Sequence, residues 1–319
     1  MRKVILPKTD LSVSPVCMGT VTFGSGKSIE ESFEILDRFA ELGGNFLDTA
    51  RIYADWIPGA ESSASEKTLG KWMKARGNSD KIVVATKGAH PLLGSKKPTM
   101  ERSDLIHQVE ESCQNLGLDT ISLYYLHRDD PVLPVAYIMD TLFMMQDQGK
   151  LRYLGCSNWQ AHRIAEANAY AESCGRTGFV AVSNRWSMAK YIKGVGDLTL
   201  VDMDEKLFAL HEQSGIAAVP FSSTAGGYLS KVAEGRPVQE GAQKCYGLPE
   251  NEALAIRAGT LAAQKGVTVG QLAISYFYSQ PFTAIPVTSF SNDQQMLETV
   301  QATDIFLTED EYRFLTAGD

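Results

Sequence analysis

Four polar residues end or closely follow apolar runs of the chain, and their types suit one kind of chemistry. Asp48 ends one run and Tyr53 lies just beyond it, while Lys87 and His127 end two later runs. A tyrosine hydroxyl, with an ordinary pKa of about 10, donates its proton poorly at neutral pH unless positive charge or hydrogen bonding stabilises the phenolate. Lys87 could provide that charge, with Asp48 holding the lysine in place. His127 could orient or polarise a bound carbonyl oxygen, so the set is suited to protonating an oxygen.

Each of these residues also has a structural interpretation. A lone Asp, Lys or His at a strand end is more often part of an ion pair or a loop anchor, and a lone Tyr is more often a packed ring. Four compatible groups at consecutive strand ends favour the catalytic interpretation, provided that the strands form one barrel, because barrel strands converge on one mouth. The chain has no Gly-x-Ser-x-Gly motif that would indicate a serine nucleophile.

The elements that must position these residues are eight short, nearly continuous apolar runs, as expected of parallel strands covered on both faces. Helical spacings fill the segments between them. Eight alternating units suit an open doubly wound sheet or a (β/α)8 barrel, and their number favours the barrel. The predicted strands are 16–19, 45–48, 82–87, 121–127, 152–156, 179–183, 216–221 and 283–287.

Helix starts and loops are also predicted. Two long irregular stretches, 54–64 and 224–248, follow predicted strands on the face where barrel enzymes build their sites. Four pairs of residues have capping-box spacing, in which a side-chain oxygen and a carboxylate three residues later satisfy free backbone amides. The pairs are Ser28 with Glu31, Ser63 with Glu66, Asp202 with Glu205 and Thr308 with Glu311.

Two elements lie outside the repeat. Segments 3–6 and 11–13 are typical of a β-hairpin, which could close the bottom of a barrel, and a C-terminal helix is predicted to end near Ala317. No linker or change of composition divides the chain. We therefore predict an α/β chain whose residues 1–319 form a single domain, a (β/α)8 TIM barrel with an N-terminal β-hairpin and an additional C-terminal helix.

Composition narrows the class of protein. The 319 residues include 30 basic and 38 acidic side chains, a net charge of −8, so nucleic acid is not an expected partner. No apolar run reaches the roughly 18 residues of a membrane span, and the N-terminus is too short for a signal peptide. The five cysteines form no Cys-x-x-Cys pair. They indicate small core side chains in a reducing, cytoplasmic compartment, with no metal site.

The sequence resembles the aldo-keto reductase family over nearly its whole length, from about residue 3 to about residue 315. The matching stretches occur in the family's order, which makes the series far more specific than one motif. They are 19–24 (GTVTFG), 43–53 (GGNFLDTARIY), 83–87 (VVATK), 123–127 (LYYLH) and 150–158 (KLRYLGCSN).

The resemblance implies an enzyme that uses NADPH, or less often NADH, to reduce aldehydes and ketones on a barrel without a metal ion. In the family, the residue at Tyr53 is the general acid, those at Lys87 and Asp48 tune it, and the one at His127 places the carbonyl. Hydride would pass from nicotinamide C4 to the carbonyl carbon while Tyr53 protonates the oxygen.

Cofactor positions are also implied by the resemblance. The stretch 287–295 contains no Lys or Arg, although the family often places a basic residue there for the 2′-phosphate of NADPH. We keep NADP(H) as the favoured cofactor and NAD(H) as possible. Ser183 stands where glutamine is usual, and Phe221 where tyrosine commonly stacks on the nicotinamide. The implied cofactor residues are Gly19, Thr20, Asp48, Ser157, Asn158, Ser183, Phe221, Ser222, Ser223, Thr288, Ser289, Gln295 and Glu298.

The substrate is predicted only by class, as a small-molecule carbonyl compound. Trp56, His127, Arg128 and Trp159 follow strand ends and are candidates for the pocket. Indoles mixed with charged groups suit a hydroxylated, sugar-like carbonyl compound, although a rim salt bridge and a loop anchor explain these residues equally well. The sequence predicts neither the reaction direction nor the oligomeric state.

Two other functions stay open at this point. Lys87 could form a Schiff base as in a class I aldolase, but a carboxylate paired with it would keep it protonated. The resemblance also extends to the NADPH-binding β-subunits of potassium channels, so a redox-sensing subunit without turnover is an alternative. The presence of all four catalytic residues favours an enzyme.

Overall fold

The computed structural model of the chain describes residues 1–316, in which short strands alternate with helices. The strands are β1 Val4–Ile5, β2 Ser12–Val13, β3 Cys17–Gly19, β4 Phe46–Asp48, β5 Val83–Gly88, β6 Ile121–Leu126, β7 Leu151–Cys156, β8 Phe179–Val182, β9 Ala217–Ala218 and β10 Val287–Thr288. The helices are α1 Ile29–Glu41, α2 Ala64–Arg76, α3 Arg102–Leu116, α4 Val135–Asp147, α5 Ala161–Ser173, α6 Glu205–Ser214, α7 Tyr228–Ala233, α8 Glu240–Tyr246, α9 Pro249–Lys265, α10 Val269–Tyr278, α11 Asp293–Ala302 and α12 Glu309–Thr316.

Eight of the strands form one parallel sheet in the order β10-β3-β4-β5-β6-β7-β8-β9. The two edges meet, because the amide of Ile285 donates to the carbonyl of Ala218 at 2.8 Å and the amide of Val287 donates to that of Pro220 at 2.9 Å. The (β/α)8 fold predicted from the sequence is confirmed. The final helix is present as α12, and Ala317, where it was predicted to end, lies outside the described residues.

The alternation of side chains along the strands decides which residues face the barrel interior. In β5, Val84 packs on the helices and Ala85 in the interior, so Lys87 also faces inward. In β6, Leu123 and Tyr125 pack in the interior, which gives His127 the same inward direction. Even a short strand therefore directs a polar side chain into the mouth, because residues two apart on a strand face the same side.

The predicted hairpin is confirmed and closes the bottom of the barrel. β1 pairs antiparallel with β2, and Leu6, Leu11 and Val13 join the buried cluster inside the barrel. Just after the hairpin, the hydroxyl of Ser14 accepts a hydrogen bond of 3.2 Å from the amide of Phe46, the first residue of β4. The hairpin thus seals the end opposite to the mouth and leaves one open end.

Several predicted boundaries differ from the structure. The strands predicted at 216–221 and 283–287 are reduced to β9 and β10, because the closing hydrogen bonds are too sparse to form long ladders. The stretch 224–248 is not irregular, since it contains α7 and α8. No helix within residues 1–316 has the length and apolar content to cross a membrane.

Two of the four predicted capping boxes are confirmed. In both the Ser28–Glu31 and the Thr308–Glu311 pair, the backbone and side-chain hydrogen bonds are present. Ser63 has a left-handed backbone, with φ 55°, and its side chain caps nothing. The start of α6 is capped by Asp204 instead of Asp202, whose carboxylate pairs with Arg185. A sequence spacing alone does not show which acceptor is already in use.

The interior of the barrel depends on a glycine in β7. A Cβ on Gly155 would lie 2.5 Å from the ring of Tyr125 and 2.8 Å from the carbonyl oxygen of Ala181. We predict that Gly155→Ala lowers the free energy of unfolding by about 1–3 kcal/mol, because the buried ring and strand must shift. Urea denaturation measures the change.

The matched control for this variant is Gly241→Ala. A Cβ on Gly241, in the short helix α8, meets nothing within 4 Å. This control should be neutral or raise the free energy of unfolding by up to about 1 kcal/mol, because alanine favours helix. If the Gly155 variant unfolds at the same urea concentration as the parent, the packing of Tyr125 described here is wrong.

Candidate active site

The ammonium group of Lys87 is the centre of the candidate site. Its Nζ donates to Oδ2 of Asp48 at 2.7 Å, to the carbonyl of Thr49 at 2.8 Å and to the hydroxyl of Tyr53 at 3.1 Å. The side chains of Lys87 and Asp48 are 3% and 5% exposed, so this is a buried ion pair. Three acceptors match the three protons of an ammonium group, and the charge is satisfied inside the protein.

The local fold explains why these groups meet. Asp48 is the last residue of β4 and pairs with Ala85 of β5, two residues before Lys87. Hydrogen bonds to β5 continue past the end of β4, because the amide of Arg51 donates to the carbonyl of Lys87. A turn closed by the amide of Tyr53 and the carbonyl of Ala50 then brings the tyrosine back over the lysine.

The charges of the site follow from burial and pairing. Burial alone would lower the pKa of Lys87, but Asp48 and Tyr53 together raise it above its ordinary value. Burial raises the pKa of Asp48, and the ammonium group opposes that rise. Burial also raises the pKa of Tyr53, an effect that the charge of Lys87 only partly offsets. The lysine is therefore charged at neutral pH, and the tyrosine keeps its proton.

His127 lies across the mouth from Tyr53, with its ring centroid 6.1 Å from that of the tyrosine. Its amide donates to the carbonyl of Gly88, which ties the end of β6 to the end of β5. Burial and, to a lesser degree, the positive charges of Lys87 and Arg128 hold the pKa of His127 well below its ordinary value. The imidazole is therefore neutral at neutral pH, when it can donate or accept a hydrogen bond.

A second histidine, His90, belongs to the same mouth and was missed by the sequence analysis. Its ring is edge-on to that of His127, with 5.0 Å between centroids. Its Nδ1 lies 2.8 Å from the carbonyl of Pro91, so that nitrogen carries the proton. The available signal was its place three residues after Lys87, in the segment that follows the same strand.

Backbone strain marks several segments around the mouth. Ala54, Ala89, Asn158 and Ser222 all have positive φ, between 56° and 88°, although none is glycine. Each lies within a few residues of a predicted site residue or is one itself. Left-handed backbone in residues other than glycine costs energy and is often found at functional sites. The loops here are therefore held in one arrangement by the surrounding contacts.

Four buried polar atoms at strand ends find no hydrogen-bond partner within residues 1–316. They belong to the last residue of β4, to the residues directly after β6 and β8, and to the last residue of β10. Buried polar groups normally have partners, so atoms left free at one mouth fit the binding of a polar ligand. The atoms are Oδ1 of Asp48, Nδ1 of His127, Oγ of Ser183 and Oγ1 of Thr288.

Among the residues implied as cofactor contacts, Phe221 and Ser222 are accessible. Phe221 is partly exposed, and Ser222 is exposed on the left-handed turn that follows it. Together with the free hydroxyls of Ser183 and Thr288, they form a polar and aromatic lining that fits a nicotinamide dinucleotide. Within residues 1–316, no group of three or more metal-binding side chains is found.

Other implied cofactor residues have side chains that bond within the protein. The side-chain amide of Asn158 donates to the carbonyl of His127 and to the hydroxyl of Ser157. The hydroxyl of Ser157 in turn donates to the carbonyl of Ser183. The hydroxyl of Thr20 donates to the carbonyl of Asp48. That of Ser223 donates to the carbonyl of Val287. These side chains therefore stabilise the backbone around the mouth through hydrogen bonds to its carbonyl groups.

The adenosine end implied by the resemblance contains an ion pair instead of a free basic residue. Nε of Arg38 in α1 lies 2.7 Å from the carboxylate of Asp293, the first residue of α11. The hydroxyl of Ser289 donates to the carbonyl of Gly19. Gln295 accepts from the amide of Ser291, and Glu298 accepts from the side chain of Gln294.

The candidate substrate residues separate into two groups. Trp56 is 48% exposed and packs edge-on against Tyr53, with 6.1 Å between ring centroids. Trp159 is fully buried in the layer between barrel and helices, where it donates to the carbonyl of Arg128. The indole of Trp159 is thus part of a buried cluster, and its place in the pocket stays a prediction.

The charges that suggested a sugar-like substrate are used within the protein. The guanidinium of Arg128 bonds to the carboxylate of Asp197 at 3.0 Å and to the hydroxyl of Thr199 at 2.9 Å. Asp129 pairs with the guanidinium of Arg163 at 3.0 Å. Arg128 and Asp129 are therefore both held in salt bridges, each with a partner elsewhere in the chain and not with each other.

Comparisons with known proteins agree with this architecture. The chain is similar to the aldo-keto reductase ausK of Emericella nidulans, with 27% identity over 99% of this chain and 81% of that one. It is 28% identical to the norsolorinic acid reductase stcV of the same organism, over 97% of this chain and 79% of that one. An aryl-alcohol dehydrogenase [NADP(+)] of Phanerodontia chrysosporium is 27% identical, over 98% and 84% of the two chains.

A solved structure supports the fold. The thermostable aldo-keto reductase Tm1743, in complex with the inhibitor epalrestat, superimposes with a TM-score of 0.76 over 99% of this chain and 98% of that one, at 18% identity. The sequence model of the Aldo/keto reductase family matches residues 15–317. With this match over nearly its whole length, the chain belongs to the aldo/keto reductase family.

Proposed function

We propose that the protein, acting as one domain, is an NADP(H)-dependent reductase of small-molecule aldehydes or ketones, with Tyr53 as the proton donor. The observation that carries this proposal is the buried ammonium of Lys87, bonded at once to Asp48 and to the hydroxyl of Tyr53. Burial keeps Tyr53 protonated at neutral pH, and the ammonium of Lys87 stabilises the phenolate once the proton has left. A bound nicotinamide cofactor supplies the hydride.

The chain's own residues would act on the carbonyl oxygen. The hydroxyl oxygen of Tyr53 accepts from Lys87, so its O–H can be directed to the substrate. The neutral imidazole of His127 can donate a second hydrogen bond to the same oxygen. As negative charge develops there, the proton of Tyr53 moves across, and the phenolate is left beside the ammonium of Lys87. Asp48 keeps the lysine charged throughout, which makes it a positioning residue.

The cofactor would be held by the free polar atoms and the aromatic ring at the mouth. We assign Ser183 and Thr288 as donors or acceptors to the cofactor, with Phe221 stacking on the nicotinamide and Ser222 next to the pyrophosphate. The relative named aryl-alcohol dehydrogenase [NADP(+)] supports the choice of NADP(H). In place of a basic residue after Pro286, we assign Arg38 to the 2′-phosphate, for which it would leave Asp293.

The two alternatives are less well supported. A Schiff-base lysine must lose its proton to attack, whereas Lys87 has an elevated pKa and all its ammonium protons are hydrogen-bonded. Borohydride trapping of a covalent substrate adduct would support that aldolase chemistry. A redox-sensing subunit would bind NADPH without turnover, so measuring NADPH binding and aldehyde reduction on the same protein distinguishes it from an enzyme.

We predict that Tyr53→Phe lowers kcat for aldehyde reduction at least about 100-fold, because no other group can deliver the proton directly. The dissociation constant for NADPH, measured by quenching of tryptophan fluorescence, should stay the same. Tyr137→Phe is the control, since Tyr137 also has a hydrogen-bonded hydroxyl but lies on α4. Full activity of the Tyr53 variant would refute the mechanism, and NADPH binding without turnover in the parent protein would favour the sensor.

We predict that kcat/KM shows no titration near the ordinary histidine pKa of about 6.5. Burial holds the pKa of His127 well below its ordinary value, so its imidazole stays neutral as the pH falls through 6.5. The unfolded chain takes up that proton below about pH 6.5, so the free energy of unfolding should fall as the pH is lowered. A profile with a midpoint near 6.5 that disappears in His127→Asn would contradict this prediction.

We predict that Arg38→Ala raises the dissociation constant for NADPH about tenfold and leaves that for NADH unchanged, because only NADPH carries the 2′-phosphate. Asp293→Asn should tighten NADPH binding by removing the nearer of the two carboxylates that pair with Arg38, the other being Glu41 at 3.3 Å. Arg76→Ala is the matched control, since Arg76 forms a similar exposed ion pair with Asp37 on the neighbouring helix. Equal effects of Arg38→Ala on the two cofactors would rule out this assignment.

A further inference from the structure

The first turn of α2 is buried behind the candidate site, next to two strands that carry catalytic residues. Ser65 and Glu66, the second and third residues of this helix, are both fully buried. The spacing from Ser63 predicts a capping role for Glu66, but its carboxylate instead accepts hydrogen bonds from a strand and from another helix. Polar side chains buried in this way have partners inside the fold, and those partners indicate what the turn holds in place.

Ser65 is the middle member of a chain of three hydroxyl groups. Its Oγ lies 2.8 Å from the hydroxyl of Thr49 and 2.8 Å from the hydroxyl of Thr20. The hydroxyl of Thr20 donates to the carbonyl of Asp48 at 2.9 Å. Each hydroxyl has one proton, so the bonds are consistent when Thr49 donates to Ser65 and Ser65 donates to Thr20. The chain therefore begins and ends on two consecutive residues at the end of β4.

The same two residues supply acceptors to the catalytic lysine. Oδ2 of Asp48 and the carbonyl of Thr49 accept from the ammonium of Lys87 at 2.7 and 2.8 Å. A movement of the peptide between Asp48 and Thr49 away from α2 would change both distances at once. Ser65 is thus connected to the ammonium through these two residues.

Glu66 makes the corresponding contact with the neighbouring strand. The hydroxyl of Thr86, the residue before Lys87 in β5, donates to Oε1 of Glu66 at 2.5 Å. The side-chain amide of Asn115, near the end of α3, donates to Oε2 at 2.9 Å. Burial raises the pKa of Glu66, and these hydrogen bonds oppose the rise. The carboxyl group therefore joins α2 and α3 to β5 one residue away from the lysine.

α2 is itself fixed on its neighbours. A Cβ on Gly70 would lie 2.2 Å from the carbonyl oxygen of Asn115, so α2 and α3 approach each other closely at this point. On the other side, the indole of Trp72 donates to the carboxylate of Asp37 in α1 at 2.8 Å. One turn of a well-packed helix thus holds the ends of β4 and β5 together, and the ion pair of the candidate site forms between those two ends.

We propose that Ser65 and Glu66 are positioning residues, which hold the ends of β4 and β5 so that the ammonium of Lys87 stays beside the hydroxyl of Tyr53. The assignment rests on the proposed function, in which Lys87 stabilises the phenolate left on Tyr53. Losing either contact lets one strand end move, and a displaced ammonium stabilises the developing charge less well. The hydride step should then slow while binding changes little, because both residues are buried behind the strands.

Single-turnover kinetics tests this proposal. Protein in excess over NADPH is mixed with whichever of benzaldehyde, butanal and xylose the parent reduces fastest, and the nicotinamide absorbance is followed. The rate constant reports the hydride step in competent molecules, whereas the amplitude reports the fraction of competent molecules. Ser65→Ala and Thr86→Val should each lower the rate constant about tenfold, with the amplitude and the dissociation constant for NADPH unchanged. Thr86→Ser, which keeps the hydroxyl, should recover most of the rate.

Ser275→Ala and Thr141→Val are the matched controls. Both residues are fully buried, and each donates its hydroxyl to a carbonyl of its own helix, α10 or α4. These variants should keep the rate constant of the parent. If Ser65→Ala and Thr86→Val react as fast as the parent, the positioning role is wrong and the proposed function stands. A fall in amplitude alone, as loss of folded protein would produce, also overturns the positioning role.

Hydrogen exchange over residues 46–53 provides a measurement that does not depend on activity. The amides of Thr49 and Arg51 donate to carbonyls of β5, so their exchange reports opening between the two strand ends. Ser65→Ala should speed this exchange about tenfold, and Ser275→Ala should not change it. Unchanged exchange in the Ser65 variant would overturn the positioning role whether or not an aldehyde is reduced. Faster exchange in a protein that reduces no aldehyde would support the positioning role and refute the reductase function.

Discussion

The burial of one ammonium group constrains the rest of the candidate site. Transferring the charge of Lys87 out of water costs several kcal/mol unless acceptors surround it. The structure supplies three acceptors, all from the segment that runs from Asp48 to Tyr53. That segment can reach the lysine only because β4 and β5 are neighbours and the turn after β4 folds back. The same set of contacts places the ammonium beside the hydroxyl of Tyr53, as the proposed role of that tyrosine as proton donor requires.

The alternation of side chains along the barrel strands brings the polar residues together at one open end. Inward and outward side chains alternate, so a strand that packs Ala85 inside must also direct Lys87 inside. The same alternation in β6 places His127 on the interior face, beyond Tyr125. Because the hairpin fills the opposite end with Leu6, Leu11 and Val13, polar groups collect at one open end. Short strands are sufficient to build the site, since each strand has to direct only one or two side chains toward the open end.

Much of this arrangement was predictable from the sequence, and the failures have physical causes. The apolar runs that end in Asp48, Lys87 and His127 predicted three strands, because apolar patterning is a property of neighbouring residues. That the ends of these strands lie close together then followed from the barrel fold. Whether a polar side chain is free depends on contacts across the fold. Arg128 is occupied by Asp197, about 70 residues away along the chain. For His90 the sequence offered only its place shortly after Lys87, and the contact with the ring of His127 shows that it lies at the mouth.

The distribution of hydrogen bonds separates support from binding at the mouth. Asn158 and Thr20 have the right types to bind a cofactor, but they bond to carbonyls of His127 and Asp48 and fix the backbone there. Ser183 and Thr288 have weaker signals in the sequence, yet their buried hydroxyls have no partner among the described residues. A buried polar group without a partner is costly, so such groups persist where a ligand completes them. Side-chain type therefore indicates what a residue can bind, and the surrounding bonds decide whether it is available to do so.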